Sequence, residues 1–177
     1  MPASAIATAG AFDALNAPEE AVSPGSSRPI VITNTLALNA PFEIAGQKLR
    51  YNGQLRVQTN RTSLVPQDRF SIGGRYTVRG FDGESVLSAE RGWLLRNDLA
   101  YAISAISSEL YLGLDHGEVS GPSSNLLIGK RLTGFVFGLR GSYQDFSYDV
   151  FAGQPISKPD GFRSPGTTAG FNLSWTF

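Results

Sequence analysis

The 177-residue sequence has no cysteine, one histidine and one methionine. Without a thiol there is no disulfide framework, no Cys-type zinc site and no cysteine nucleophile, and the lone His116 cannot supply a multi-histidine metal centre. Charge of one sign is lacking too, because 15 Lys and Arg balance 15 Asp and Glu. No electrostatic footprint therefore points to nucleic acid or to an anionic membrane surface. No run approaches the roughly 18 consecutive apolar residues of a membrane helix. That absence does not exclude a membrane β-barrel, whose signal per strand is weak. Residues 1–28 carry no Lys or Arg before Arg28 and no unbroken apolar run of signal-peptide length, so no export signal is visible. They read as an Ala-, Ser- and Pro-rich loop or linker ahead of a β-barrel region at 29–177.

What is present suits strands. The chain has 20 Gly, 11% aromatic and 41% hydrophobic residues. From Ile30 onward, period-two alternation is found repeatedly where a helix would show period 3.6. In Lys48 to Thr59, Leu49, Tyr51, Leu55 and Val57 share one face, while Lys48, Arg50, Asn52, Gln54 and Arg56 share the other. The closing segment separates Ala169, Phe171, Leu173, Trp175 and Phe177 from Gly170, Asn172, Ser174 and Thr176. Weaker alternation in Ile30 to Ala40, Trp93 to Ala105, Glu109 to Gly117, Gly134 to Tyr143 and Phe146 to Gly153 brings the expected count to seven strands.

The expected connections alternate in length: about five residues at Glu43 to Gln47, a long loop over 60–91, and a tight turn near Ser107. A medium loop at Glu118 to Asn125, a tight turn at Gln144 and a loop from Gln154 to Gly166 follow. Short inner turns and long outer loops are the asymmetry of outer-membrane barrels. A soluble β-sandwich also alternates, but its wet face favours Lys, Glu and Thr. Here that face mixes Gly, Ala and Ser with isolated charges such as Arg96, Asp98, Asp115, Arg140 and Asp149, a mixture closer to a barrel lumen. Both architectures remain open on pattern alone.

Arg69 to Leu99 reads RFSIGGRYTVRGFDGESVLSAERGWLLRNDL. Its Phe70-Ser71-Ile72-Gly73-Gly74, Val78-Arg79-Gly80-Phe81, Glu90-Arg91-Gly92-Trp93 and Arg96-Asn97-Asp98-Leu99 follow one another as in the outer-membrane transporters of two-partner secretion. The chain resembles that haemolysin-activator and haemagglutinin-secretion family of the Omp85 superfamily over roughly Arg28 to Phe177, including Asp115-His116-Gly117. The resemblance implies an all-β fold: an antiparallel transmembrane barrel of sixteen strands, of which this chain would hold the last seven as a truncated part. It also implies a loop folded into the lumen, with Val78, Arg79, Gly80 and Phe81 at its tip and Asp115, beside Gly117, as wall partner of Arg79. A guanidinium fork can bind a carboxylate bidentately, and a glycine next to it lets the tip come close. By parity Asp115 shares a face with Tyr111, Gly113 and Gly117, opposite Leu112 and Leu114.

Blander readings accompany each motif. Arg79 and Asp115 taken alone are ordinary solvated charges. The glycines from Gly73 to Gly83 lack the strand-to-helix context and Lys-Ser/Thr ending of a phosphate loop. His116 reads as an interface residue near a strand end, and two Asn-x-Ser/Thr triplets are chance matches. Gly170, Leu173, Trp175 and terminal Phe177 resemble the signal read by the barrel-assembly machinery, although alternate aromatics also build a lipid-facing girdle. The expected function is export of a large exoprotein through the pore of a bacterial outer-membrane protein. The expected partners are that exoprotein, outer-membrane lipid and the assembly machinery, with no nucleic acid, cofactor, metal or catalysis. The alternatives are an Omp85-type factor that inserts other barrels, and a soluble β-domain that binds by strand addition.

Overall fold

The computed structural model describes residues 3–9, 29–62 and 64–176. Ten strands are described: β1 (Ala3–Ala9), β2 (Ile30–Ile44), β3 (Gln47–Asn60), β4 (Phe70–Ile72), β5 (Leu87–Ala89), β6 (Arg91–Ile103), β7 (Ser108–Ser120), β8 (Arg131–Tyr143), β9 (Phe146–Ser157) and β10 (Thr168–Trp175). Eight of them form one antiparallel sheet in the order β1-β2-β3-β6-β7-β8-β9-β10, and β4 pairs with β5 separately. Every neighbouring pair in the large sheet is also consecutive within it. The sheet is an up-and-down meander that does not close on itself among the described residues.

The seven expected strands are β2, β3 and β6 through β10, but the count is one short. Residues 3–9, inside the stretch read as linker, pair with β2 from Ala3 opposite Leu36 to Ala9 opposite Ile30. Small Ala, Ser and Thr side chains give almost no apolar alternation, which hides such a strand from a hydropathy pattern. The first connection is also shorter than the five residues expected. β2 runs through Pro41 and Phe42 to Ile44, leaving Ala45 (φ 52°) and Gly46 (φ 76°) as a two-residue turn. Two left-handed residues give the twist that joins right-twisted strands. Tight turns at Ser107 (φ 49°) and Gln144 (φ 54°) stand where expected. At the opposite end β7 extends to Ser120 and β9 to Ser157, past the expected Gly117 and Gly153, and a register shift between Thr133 and Gly134 absorbs the extra residue.

The long loop is itself folded. After a 3-10 turn at Pro66–Asp68, β4 and β5 pair from Phe70 opposite Ala89 to Ile72 opposite Leu87, a hairpin whose tip spans 73–86. Phe70, Ile72, Val78, Phe81 and Leu87 from the loop are buried against Leu94 of β6, Val119 of β7, Leu132 of β8 and Phe162. The main core thus lies between the loop and the concave face of the large sheet.

The convex face points the other way and is apolar. Leu99, Leu112 and Phe137 form one row across β6, β7 and β8, and Leu114 and Phe135 form the next. All five are exposed. A sandwich would cover this row with a second sheet, and among the described residues the only other sheet has two three-residue strands on the opposite face. Such a surface belongs in hydrocarbon.

The expected outcome is that Leu114→Arg costs about 2–4 kcal/mol when the chain refolds into lipid vesicles. Urea titration of tryptophan fluorescence measures it. A cost below about 0.5 kcal/mol would mean that this face does not meet lipid.

Candidate loop-docking site on the inner wall

The loop tip reaches the wall at one charged side chain. Asp115 alternates inward on β7 with Tyr111, Gly113 and Gly117 and is fully buried. Arg79 enters from the loop and is 6% exposed. Its Nε donates to Asp115 Oδ2 at 2.7 Å and its Nη2 to Oδ1 at 2.7 Å, so the fork is bidentate. The Arg79 backbone N–H adds a third bond to Oδ2 at 3.0 Å. Charge-assisted, bidentate geometry of this kind is the strong form of the interaction.

A second carboxylate shares the guanidinium. Arg79 Nη2 also donates to Asp98 Oδ1 at 2.5 Å, and Asp98 lies two residues from Arg96, which pairs in register with Asp115. Arg96 Nε stands 3.8 Å from Asp115 Oδ2. From Asp98 the charges continue down the inner wall: Arg140 Nη1 lies 3.5 Å from Asp98 Oδ2, Arg140 Nε 3.1 Å from Glu109 Oε2, and Glu109 also pairs with Arg50. Burial opposes the charge on Arg79, but hydrogen bonds and attraction from Asp115, then Asp98, outweigh it and raise its pKa above the ordinary arginine value. The guanidinium stays protonated at every accessible pH.

Close approach is made possible by missing side chains. A Cβ on Gly134 would lie 1.8 Å from the Arg79 carbonyl oxygen, and one on Gly80 (φ 96°) would lie 2.4 Å from that of Gln154. A Cβ on Gly113 would meet Arg79 Nη2 at 2.6 Å. Gly117 faces Val78 and Ile72. Phe81 and Phe162 meet edge to face with centroids 5.8 Å apart, so the connection after β9 also packs against the tip.

Two further contacts fix the loop. At its base Glu90 is buried, accepting from Ser123 Oγ at 2.5 Å and from Ser123 N at 3.2 Å, with Arg69 Nε 3.6 Å away. Burial alone would push the Glu90 carboxyl up; the Ser123 hydrogen bonds and Arg69 outweigh it and hold it below its ordinary value. At the tip the Arg75 guanidinium lies over the Phe151 ring at 4.8 Å and donates to the Phe171 carbonyl of β10 at 3.1 Å.

The structure thus brings Val78, Arg79, Gly80, Phe81, Asp115 and Gly117 together. The carboxyl-terminal set stands apart: Gly170 lies under the Phe151 ring, Leu173 and Trp175 point outward, Trp175 stacks on Phe146 with centroids 5.5 Å apart, and Phe177 lies outside the described residues. Sequence reasoning did not assign Asp98, Gly134, Glu90 or Arg75 to the site. Asp98 had a signal, an inward carboxylate two residues from Arg96. Gly134 had none, since any small residue reads as lumen-facing.

A meander with an apolar exterior and a loop pinned to its concave face by a buried ion pair defines a wall segment of an outer-membrane β-barrel with an inward-folded loop. The family model for the haemolysin secretion/activation proteins ShlB/FhaC/HecB matches residues 3–141. The chain is 40% identical over 144 residues to the outer membrane transporter CdiB-2 of Burkholderia pseudomallei, covering 79% of this chain and 25% of that protein. Among solved structures it is similar to CdiB from Acinetobacter baumannii, with a TM-score of 0.77, 33% identity and coverage of 82% of this chain and 27% of that one. CdiB from Escherichia coli shares the fold with a TM-score of 0.68 at 20% identity, over 84% of this chain and 28% of that one. The chain belongs to the ShlB/FhaC/HecB family of haemolysin secretion/activation proteins. It spans about a quarter of the length of the relatives it matches.

Asp115→Ala leaves the Arg79 charge buried without its main partner, a loss of about 3–5 kcal/mol. The expected readout is trypsin cleavage after Arg75 or Arg79 in the folded protein, with Arg79→Ala in the same chain recovering part of the lost stability. Equal protease resistance of Asp115→Ala and the parent would contradict the docking. The Glu90 contribution has a defined sign: its folded pKa is lowered, so the stabilisation is present above the ordinary glutamate value and lost as pH falls through the folded one. The protection factor of the Ser123 amide, taken relative to its intrinsic exchange rate, should therefore fall on acidification below the ordinary glutamate range, and Glu90→Gln should remove that dependence.

Proposed function

We propose that this chain forms the carboxyl-terminal wall of an outer-membrane pore that secretes a large exoprotein of the haemolysin or haemagglutinin type, and that its docked loop controls passage. The observation that carries the reading is the buried, bidentate Arg79–Asp115 pair on the concave face, reached only because Gly80 and Gly134 leave room. A loop held this way occupies space that an unfolded polypeptide must use. Family membership, and the similarity to an outer membrane transporter of Burkholderia pseudomallei, support the same conclusion.

Release of the loop does not require Arg79 to lose all compensation. Its Nη2 already donates to Asp98, so a shift along the wall away from Asp115 exchanges one carboxylate for another. Stepwise exchange of this kind lowers the cost of moving a buried charge. The resulting action is mechanical: the chain catalyses no reaction. Its partners are the exoprotein in the lumen, outer-membrane lipid around the apolar face, and the assembly machinery, which would read Gly170, Leu173 and Trp175 of β10 together with Phe177 in the sequence. Short turns at Ala45-Gly46, Ser107 and Gln144 mark the periplasmic side, and the long loops mark the outside.

A chimaera of the Acinetobacter baumannii relative carrying residues 30–177 in place of the matching region tests this. The expected result is secretion of its exoprotein, reduced at least about tenfold by Asp115→Ala and less by Asp98→Ala. Secretion unchanged by Asp115→Ala, at equal barrel levels, would sink the gating role.

A further inference from the structure

On the convex face, near the outer ends of β7, β8 and β9, lies a notch of about 400 Å³ lined by Glu118, Lys130, Arg131, Ser157, Lys158 and Pro159. Three cations and one carboxylate meet there. The notch is preformed: a Cβ on Gly129 would lie 2.2 Å from Pro159 Cγ, and Val119 N donates to the Lys130 carbonyl at 2.9 Å. Lys158 donates to the Phe162 carbonyl at 3.1 Å and to Ser164 Oγ at 2.8 Å, which orients it within the outer connection. Lys130 Nζ lies 3.2 Å from Asn125 Oδ1. Arg131 faces Glu118 at 3.2 Å, yet its side chain remains 70% exposed.

What lies below the notch gives it meaning. Glu118 pairs in register with Trp93 and Arg131, and His116 pairs with Thr133 one step toward the middle of the sheet. The Trp93 and His116 rings are 5.1 Å apart, and His116 Nδ1 is 2.8 Å from Thr133 Oγ1, so an amphipathic aromatic pair sits directly beneath the charges. Beneath that come the exposed Leu114 and Phe135, then Leu112 and Phe137. Arg131 and Phe135 are four residues apart on one strand, about 13 Å. Cations, then aromatics, then hydrocarbon is the profile that one amphiphile with an anionic head presents in reverse.

We propose that this notch binds the phosphate of an outer-leaflet lipid, with the lipid's acyl chains lying along Leu114, Phe135, Leu112 and Phe137. The inference rests on the membrane reading above, which sets these strand ends at the outer leaflet. Glu118 tempers the site: with it in place the net charge favours one phosphate group and holds Arg131 at the rim. Basic pockets beside apolar barrel or helix surfaces hold lipid head groups by this charge complementarity.

The chimaera of the Acinetobacter baumannii relative carrying residues 30–177, reconstituted into phosphatidylcholine nanodiscs doped with lipid A, is examined by native mass spectrometry for retained lipid A. The parent is expected to retain lipid A and not its dephosphorylated form. Lys130→Gln with Arg131→Gln should weaken retention roughly tenfold to thirtyfold, whereas Glu118→Gln should strengthen it. Equal retention by parent and double variant, or equal retention of dephosphorylated lipid A, would overturn the proposal. So would displacement by millimolar inorganic phosphate, which would make the notch a plain anion site. Failure of the chimaera to enter the bilayer under conditions where the unmodified Acinetobacter baumannii relative enters it would overturn the membrane reading, and this inference with it.

Discussion

A guanidinium buried against a sheet must have its charge and its donors met there, and the Arg79–Asp115 pair meets that constraint with three hydrogen bonds to one carboxylate. Much of the surrounding sequence follows from it. The wall must present a carboxylate inward, so Asp115 occupies the inner parity of β7. The backbone of the tip must come within touching distance, so Gly80, Gly113 and Gly134 have no side chains where it passes. The hairpin formed by β4 and β5 delivers the tip at the right depth, and its apolar residues supply the only extensive core among the described residues. The pair is a poor source of net stability compared with apolar packing of equal volume, but it fixes one register of the loop on the wall.

The shared use of Asp98 gives that register a neighbour. A chain of alternating charges from Arg79 through Asp98, Arg140 and Glu109 to Arg50 runs from the loop tip toward the short turns. Each carboxylate in it contacts two guanidinium groups, so displacement of one member changes the partners of the next. The concave face is therefore polar and coupled, while the convex face is apolar and graded toward its ends. One sheet meets two different solvents, and the alternation along each strand sorts residues between them.

The sheet was legible because period-two alternation is a local property. Parity alone separates Leu112 and Leu114 from Asp115 and Gly117 on β7, as the burial along that strand does. What alternation cannot show is pairing without apolar contrast, so β1, built from Ala, Ser and Thr around one Ile, reads in the sequence as linker. Nor can it show how far strands continue past a proline: β2 through Pro41 and β9 through Pro155 ran longer than expected. The wall partner of Arg79 came from family resemblance, not from the residues themselves, since a lone Asp and a lone Arg carry no distance information. Asp98 and the glycines facing the loop depend on contacts across dozens of residues, and only the fold reveals them. The hairpin inside the loop leaves no trace in the pattern, because strands of three residues are too short to show a period.

The loop tip rests on β7, and the cysteine-free sequence lets a cross-link probe that contact. Val78 Cγ2 lies 3.0 Å from where a Gly117 Cβ would be, close enough for a disulfide between Val78→Cys and Gly117→Cys. In the membrane-embedded protein under mild oxidation, this pair is expected to cross-link nearly completely, while Val78→Cys with Asn39→Cys, on a distant strand, stays reduced. Free thiols at both Val78→Cys and Gly117→Cys, open to a water-soluble maleimide, would contradict it.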